Sequence, residues 1–230
     1  MGYQTTRRTF LTYGLMGGAL VMGAPVAAMA RSFDDEDTRS DNSISPLIQI
    51  NEDNSMVFFS PSPDMGQGVD TSLAMLFAEE LGADFDHVAS KPLPLMLKRT
   101  PEGGLAWGVV PQGAGGSTSI SDNWTLLREA GAAARQLLLQ AGARHFDADV
   151  STLKTEKSFV VSPAGGRVAY GALVRAAARE TLPEGYQAAL KPRANWSIIG
   201  TAEKNKVAHD IVTGKPLYGM DMDHPGAKVA

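Results

Sequence analysis

The 230 residues of the chain include 25 acidic and 21 basic side chains, four histidines and no cysteine, and 43% of them are apolar. A formal charge of −4 offers little to nucleic acid or to an anionic membrane surface. Without cysteine there is no disulfide, zinc–thiolate site or iron–sulfur cluster within the chain, so any electrons it handles leave through another subunit.

At the start, Arg7 and Arg8 precede a run rich in glycine and alanine that closes on Ala28, Met29 and Ala30. A charged region, an apolar region and a small-residue cleavage site in that order predict a secretory leader over residues 1–30, outside the fold. The paired arginines make it the twin-arginine type. A membrane anchor is the competing reading, and the glycines and the proline of the run argue against it. The expectation is a periplasmic protein, folded before export, with no membrane span after cleavage. Residues 31–45, RSFDDEDTRSDNSIS, are polar and acidic and read as a linker.

Structure is expected to begin near Pro46. LIQI and MVFF flank the turn-rich NEDNS, the pattern of a β-hairpin. PDMGQGVDTSLAMLFAEEL follows at residues 63–81. Asp70 or Thr71 can cap a helix there, with Leu73, Leu76, Phe77 and Leu81 inward, Glu79 and Glu80 on the outer face, and Gly82 closing it. VASKPLPLML reads as an extended edge segment and PEGG, residues 101–104, as a turn. A Gly/Ser/Thr loop, QGAGGSTSIS, leads into a helix over about 123–141, with Asp122 as its cap and a small-residue run, AGAAA, for close packing. KSFVVSPAGGRV predicts a second hairpin, and YGALVRAAARETL, residues 170–182, a third helix. The remainder, through VTGKPLYGMDMDHPGAKVA, reads as strands interrupted by turns, the last only begun at AKVA. The fold class is α+β: short hairpins packed with two or three helices.

Two loops are chemical candidates. Gly66 and Gly68 allow positive φ and close backbone approach, and ahead of a helix they expose N–H groups suited to an anion or a polar heterocycle. Gln67 between them can donate and accept. Gly115 and Gly116 precede Ser117, Thr118 and Ser119 at a helix start, without the lysine of a phosphate-binding Walker loop. An ordinary turn is the bland alternative for each. The histidines are scattered, with no i,i+4 pair, and no G-x-S-x-G elbow points to a hydrolase.

In this order the motifs carry a resemblance. DMGQGVDTSLAMLFAEELGADFDHV, GGSTSISDNWTLLREAGAAARQLLLQAGA, YGALVRAAA and IVTGKPLYGMDMDHPGAKVA together resemble the molybdopterin-binding large subunits of the xanthine dehydrogenase and aldehyde oxidase family. The nearest subtype is the isoquinoline 1-oxidoreductase beta subunit. The resemblance implies a molybdenum cofactor, as a molybdopterin cytosine dinucleotide, held between glycine-rich loops. Gln67, flanked by Gly66 and Gly68, would face the molybdenum end; Gly116, Ser117, Thr118 and Ser119 would hold the pterin or its phosphates. It further implies hydroxylation of an aldehyde or N-heterocycle, a small iron–sulfur subunit with two [2Fe-2S] clusters as partner, and a cytochrome as electron acceptor. Residues 46–200 would be the N-terminal molybdopterin-binding segment, and 201–230 the start of a hammerhead domain.

The family has an acidic residue at the position of Asp64, often glutamate. Its subunits are several times longer, and the G-G-x-F-G loop and late G-x-G-E glutamate base are not in this sequence. The expectation is therefore part of a cofactor cradle, inactive alone. A non-catalytic exported module that keeps the loops is the alternative, and a periplasmic small-molecule binder without redox chemistry a third reading.

Overall fold

The computed structural model describes residues 12–16, 19–24, 45–93, 97–99, 103–107 and 112–216, and the single positions 218, 221 and 226; within 12–16, 19–24, 45–46, 97–99 and 105–107 it describes the backbone only. The predicted linker (but for Ser45), the turn residues 101 and 102 and the closing AKVA lie outside the described residues.

The hairpin is present as β3 (Ser45–Ile50) and β4 (Met56–Ser60), antiparallel with Ile48 opposite Phe58. β4 alternates as a half-buried strand should: Met56, Phe58 and Ser60 point inward. The chain then enters α1 (Val69–Leu81) and returns through β5 (Val88–Pro92), which pairs with β4 in parallel. β5 holds the sheet edge predicted for this proline-bearing segment. The parallel pair makes β4, α1 and β5 a βαβ unit, so the loop holding Gly66 to Gly68 leaves the carboxyl end of a parallel strand.

On the far side of β3, the sheet is extended by β1 (Thr12–Met16) and β2 (Ala19–Ala24), with β2 antiparallel to β3. In the uncleaved chain, the stretch read as a leader outside the fold thus covers a strand edge that would otherwise be open. A short antiparallel pair, β6 (Leu97–Arg99) and β7 (Leu105–Trp107), stands apart.

α2 (Ser119–Phe146) is longer at both ends than its apolar pattern predicts. It starts after Thr118, so Asp122 lies in its first turn rather than at its cap. Gly131, in the small-residue run, is where α2 meets α1: a Cβ there would sit 2.4 Å from the Phe77 carbonyl oxygen. That approach fixes the two helices, and with them the loops at their starts.

A three-stranded sheet, β8 (Lys154–Glu156), β9 (Phe159–Val161) and β10 (Arg167–Ala169), contains the second predicted hairpin. α3 (Tyr170–Ala177) follows directly and ends earlier than predicted. Fully buried Tyr170 donates its hydroxyl to the Leu81 carbonyl at 2.7 Å, locking α3 to the end of α1, and burial pushes its phenol far above the ordinary value. Gly82 closes α1 in the left-handed conformation, as predicted. After α3 the described residues contain no strand, only a single 3-10 turn at Arg193–Asn195, a short α4 (Ala208–Val212) and turns. Within residues 178–216 the β-rich reading fails because glycines and prolines break the apolar runs.

Glu79 and Glu80 are not on a solvated face: both are 0% exposed. A strap formed by residues 189–206 runs along α1 in the opposite direction and covers them. Glu79 Oε2 accepts the backbone N–H groups of Ser197 (2.8 Å), Ile198 (2.6 Å) and Ile199 (3.1 Å), and Oε1 takes Lys191 Nζ at 3.2 Å. Glu80 pairs with Arg128 at 2.6 Å and accepts Lys191 N–H at 2.8 Å. Arg128 itself lies against both the Trp124 and Trp196 rings, 5.3 Å from each centroid, and the two rings meet edge to face. At its far end the strap donates Lys206 N–H to the Thr71 hydroxyl at 2.9 Å. The helical-wheel expectation failed because it counted the carboxylates as solvated and could not see their cationic and N–H partners more than 40 residues away.

Candidate functional site

The loop between β4 and α1 is wound round Asp64. Its Oδ1 accepts the N–H groups of Gly66 (2.8 Å) and Gly68 (3.3 Å), and its Oδ2 that of Asp70 (3.3 Å). Both glycines have positive φ, +100° and +74°, which brings alternate N–H groups to one point. Gly68 is the N-cap of α1 and has no side chain to cap with, so Asp64 does the capping from a distance. The N–H groups that the sequence offers to an external anion here are donated to an internal one.

Gln67 is exposed, and its amide turns back on its own loop. Oε1 accepts Met65 N–H at 2.5 Å and Nε2 donates to the Pro63 carbonyl at 3.0 Å. Met65 beside it is 75% exposed, an unusual place for a large apolar side chain.

Behind the loop, Asp70 is 5% exposed and its Oδ1 has no hydrogen-bond partner. Burial raises its pKa first; a hydrogen bond from Ser60 opposes this and the Asp64 charge adds to it.

The second loop behaves differently. Gly116 and Ser117 take consecutive positive φ, 58° and 60°, and the chain then enters α2 with Thr118 as N-cap. Thr118 makes no capping bond; its hydroxyl donates to Asp122 Oδ2 at 2.5 Å instead. Among the described residues, the N–H groups of Ser119, Ile120 and Ser121 have no hydrogen-bond partner. They stand at the positive end of a 28-residue helix.

A cavity of about 610 Å³ opens here, lined by Thr118, Ser119, Asp122, Asn123 and Leu126 of α2, Gln112 to Gly115, and Ser62. Ser62 directly precedes the Gly66 loop, so the fold brings the two glycine-bearing segments to one side of the molecule. Of the predicted site residues, Thr118 and Ser119 line the cavity; Gly66, Gln67, Gly68, Gly116 and Ser117 do not. Sequence reading missed Ser62, which lies outside the motifs, and Gln112 and Asn123, which lie within them but were given no role. It saw Asp122 only as a cap, although a polar residue one turn into a helix also marks a wall at that helix's mouth. Among the described residues, no group of three or more His, Asp or Glu side chains is placed to hold a metal ion, and no helix is long and apolar enough to cross a membrane.

The profile of the molybdopterin cofactor-binding domain matches residues 16–215. The chain belongs to that family. The match begins inside the stretch read as a leader. This molybdopterin-binding chain is 28% identical to the isoquinoline 1-oxidoreductase subunit beta of Brevundimonas diminuta, over 96% of its own length and 32% of the relative's. It is also 28% identical to the membrane-bound aldehyde dehydrogenase [pyrroloquinoline-quinone] of Gluconacetobacter polyoxogenes, over 94% and 27%. The chain therefore spans about a third or less of these curated relatives. A solved structure, quinoline 2-oxidoreductase from Pseudomonas putida 86, aligns over 62% of this chain and 17% of that one, with a TM-score of 0.42 and 18% identity.

Proposed function

We propose that this chain supplies part of the cradle of a molybdenum cofactor in an oxidoreductase that hydroxylates aldehydes or N-heterocycles. The observation that carries this reading is the start of α2, where three N–H groups without a partner among the described residues stand at the mouth of a cavity of about 610 Å³. Such a site suits the acceptor-rich phosphate end of a dinucleotide cofactor, here taken as the cytosine form. Asp122 keeps one oxygen on Thr118 and offers the other to an amino group, as a pterin or cytosine carries. Thr118 and Ser119 would thus hold the nucleotide or pterin end, with Gly116 and Ser117 as the turn that leads into them, while Gln67, on the neighbouring loop, would be aimed at the metal end once its amide leaves Met65 and Pro63. When bound, the cofactor would supply the two-electron oxidation; the residues of this chain bind and orient it.

The partner in this reading is a small subunit with two [2Fe-2S] clusters, since the chain has no cysteine to carry electrons, with a cytochrome beyond it. The paired arginines support export by the twin-arginine route to the periplasm. Cleavage after Ala30 would remove β1 and β2 and open the edge of β3.

The test uses cytidine diphosphate and inorganic pyrophosphate as probes, titrated into the ¹⁵N-labelled chain. Both are expected to shift the Ser119, Ile120 and Ser121 amide resonances saturably, cytidine diphosphate at the lower concentration. A titration that leaves those three amides unmoved overturns the assignment.

A further inference from the structure

We propose that Asp64 is the positioning residue of the Gly66–Gly68 loop, a built-in anion that fixes the backbone so that Gln67 can act as a latch. Its functional meaning rests on the role proposed for Gln67, but its evidence is independent of any cofactor.

Two sets of bonds hold this loop, and they differ in strength. Asp64 makes three charge-assisted bonds to alternate N–H groups, 66, 68 and 70, at the positive end of α1. They bind the loop to the helix and are centred on a half-buried carboxylate. Gln67 makes two neutral bonds, both to the backbone of the same loop and both exposed to water. Water competes for neutral exposed bonds, so releasing them costs little. A ligand that engages the Gln67 amide therefore has to displace only those two bonds, freeing Met65 N–H and the Pro63 carbonyl to solvent.

The glycines fit the same division. A Cβ on Gly66 would meet nothing within 4 Å, so crowding does not select glycine there. The requirement is φ near +100°, which turns its N–H toward Asp64. Gly68 likewise needs φ near +74°, with the Asn205 amide of the strap 3.9 Å from where its Cβ would lie. Both glycines thus serve the internal carboxylate, and the residue between them is left outside with a free choice of partner.

Site-resolved amide hydrogen exchange on the whole chain, without ligand, tests this. Asp64→Ala is expected to speed exchange at Gly66, Gly68 and Asp70 by about tenfold, equivalent to ~1.4 kcal/mol of local opening, while Phe77 in the core is unchanged. Added formate is expected to restore the protection in the variant and do nothing to the parent chain, a rescue that lost packing alone would not show. Gln67→Ala is expected to release Met65 only. Should Asp64→Ala fail to fold, Asp64→Asn keeps Oδ1 for Gly66 and Gly68 and is expected to release Asp70 selectively. The proposal is overturned if these amides exchange unchanged without the carboxylate, or if Gln67→Ala loosens all four together. Either failure leaves the phosphate-probe result at α2 standing.

Discussion

At the start of α1 the N–H groups of Gly66, Gly68 and Asp70 converge on the Asp64 carboxylate, whereas at the start of α2 those of Ser119, Ile120 and Ser121 meet no acceptor among the described residues. Both segments read alike in sequence: glycines, then a helix. What separates them is one acid two residues ahead of the first glycine. A helix start is an anion site only if the chain has not already supplied the anion. The α1 loop is thereby made rigid in its backbone and left with one exposed amide to offer; the α2 loop keeps its donors and a cavity for them to serve.

The largest effect is expected from separating the two helices. Glu80 is buried against Arg128, Arg135 and the Lys191 N–H. Glu80→Ala takes the carboxylate from two arginines, leaving them only backbone carbonyls, and is expected to cost about 3–5 kcal/mol, read as a drop in the urea midpoint. The response to cytidine diphosphate should be lost with it. If it survives intact, the helix start binds without the clamp and the two loops are independent.

An intermediate effect concerns a second carboxylate that gathers three N–H groups, Glu79. Burial alone would raise its pKa, but the Ile198, Ser197 and Ile199 N–H groups and Lys191 outweigh it, and the carboxyl is held below its ordinary value. A carboxyl depressed in the folded state contributes stability that is complete above its unfolded value, about 4.3, and is lost as pH falls through the folded one. Urea unfolding of the parent chain and of Glu79→Gln should therefore differ most at pH 7, and the difference should shrink progressively as pH falls below the unfolded value. A difference that stays constant down to pH 3 would show that the charge is not what holds the strap.

The smallest effect comes from giving α2 what α1 already has. Thr118→Asn places an acceptor at the N-cap while its Nδ2 can still donate to Asp122. It is expected to add about 0.5 kcal/mol to stability and to weaken the cytidine diphosphate response severalfold. A tighter response would mean that the probe does not sit on those N–H groups.

Local structure was legible wherever it depends on neighbours in sequence. The hairpin around NEDNS, the Gly82 stop and the close approach through Gly131 follow from turn chemistry, positive φ and side-chain size. What depends on distant partners was not legible. Glu79 and Glu80 read as a solvated face because Arg128 lies 48 residues beyond Glu80 and the Ile198 N–H 119 residues beyond Glu79. Parallel pairing of β5 with β4 leaves no signature in an edge segment read for its prolines. At the site, the glycines and hydroxyls were visible as motif residues, but Asp64 could be read only as part of a resemblance. Its role needs the geometry of three N–H groups converging, which no spacing rule states.

The strap has one further consequence. It ends with Asn205 beside Gly68 and Lys206 bonded to Thr71, so the segment 207–216, with α4, starts within a few ångströms of the Gln67 loop. A short tether fixed there confines whatever it carries to that neighbourhood, at an effective concentration in the millimolar range. Contact between that segment and the loop is then intramolecular and needs no diffusional search.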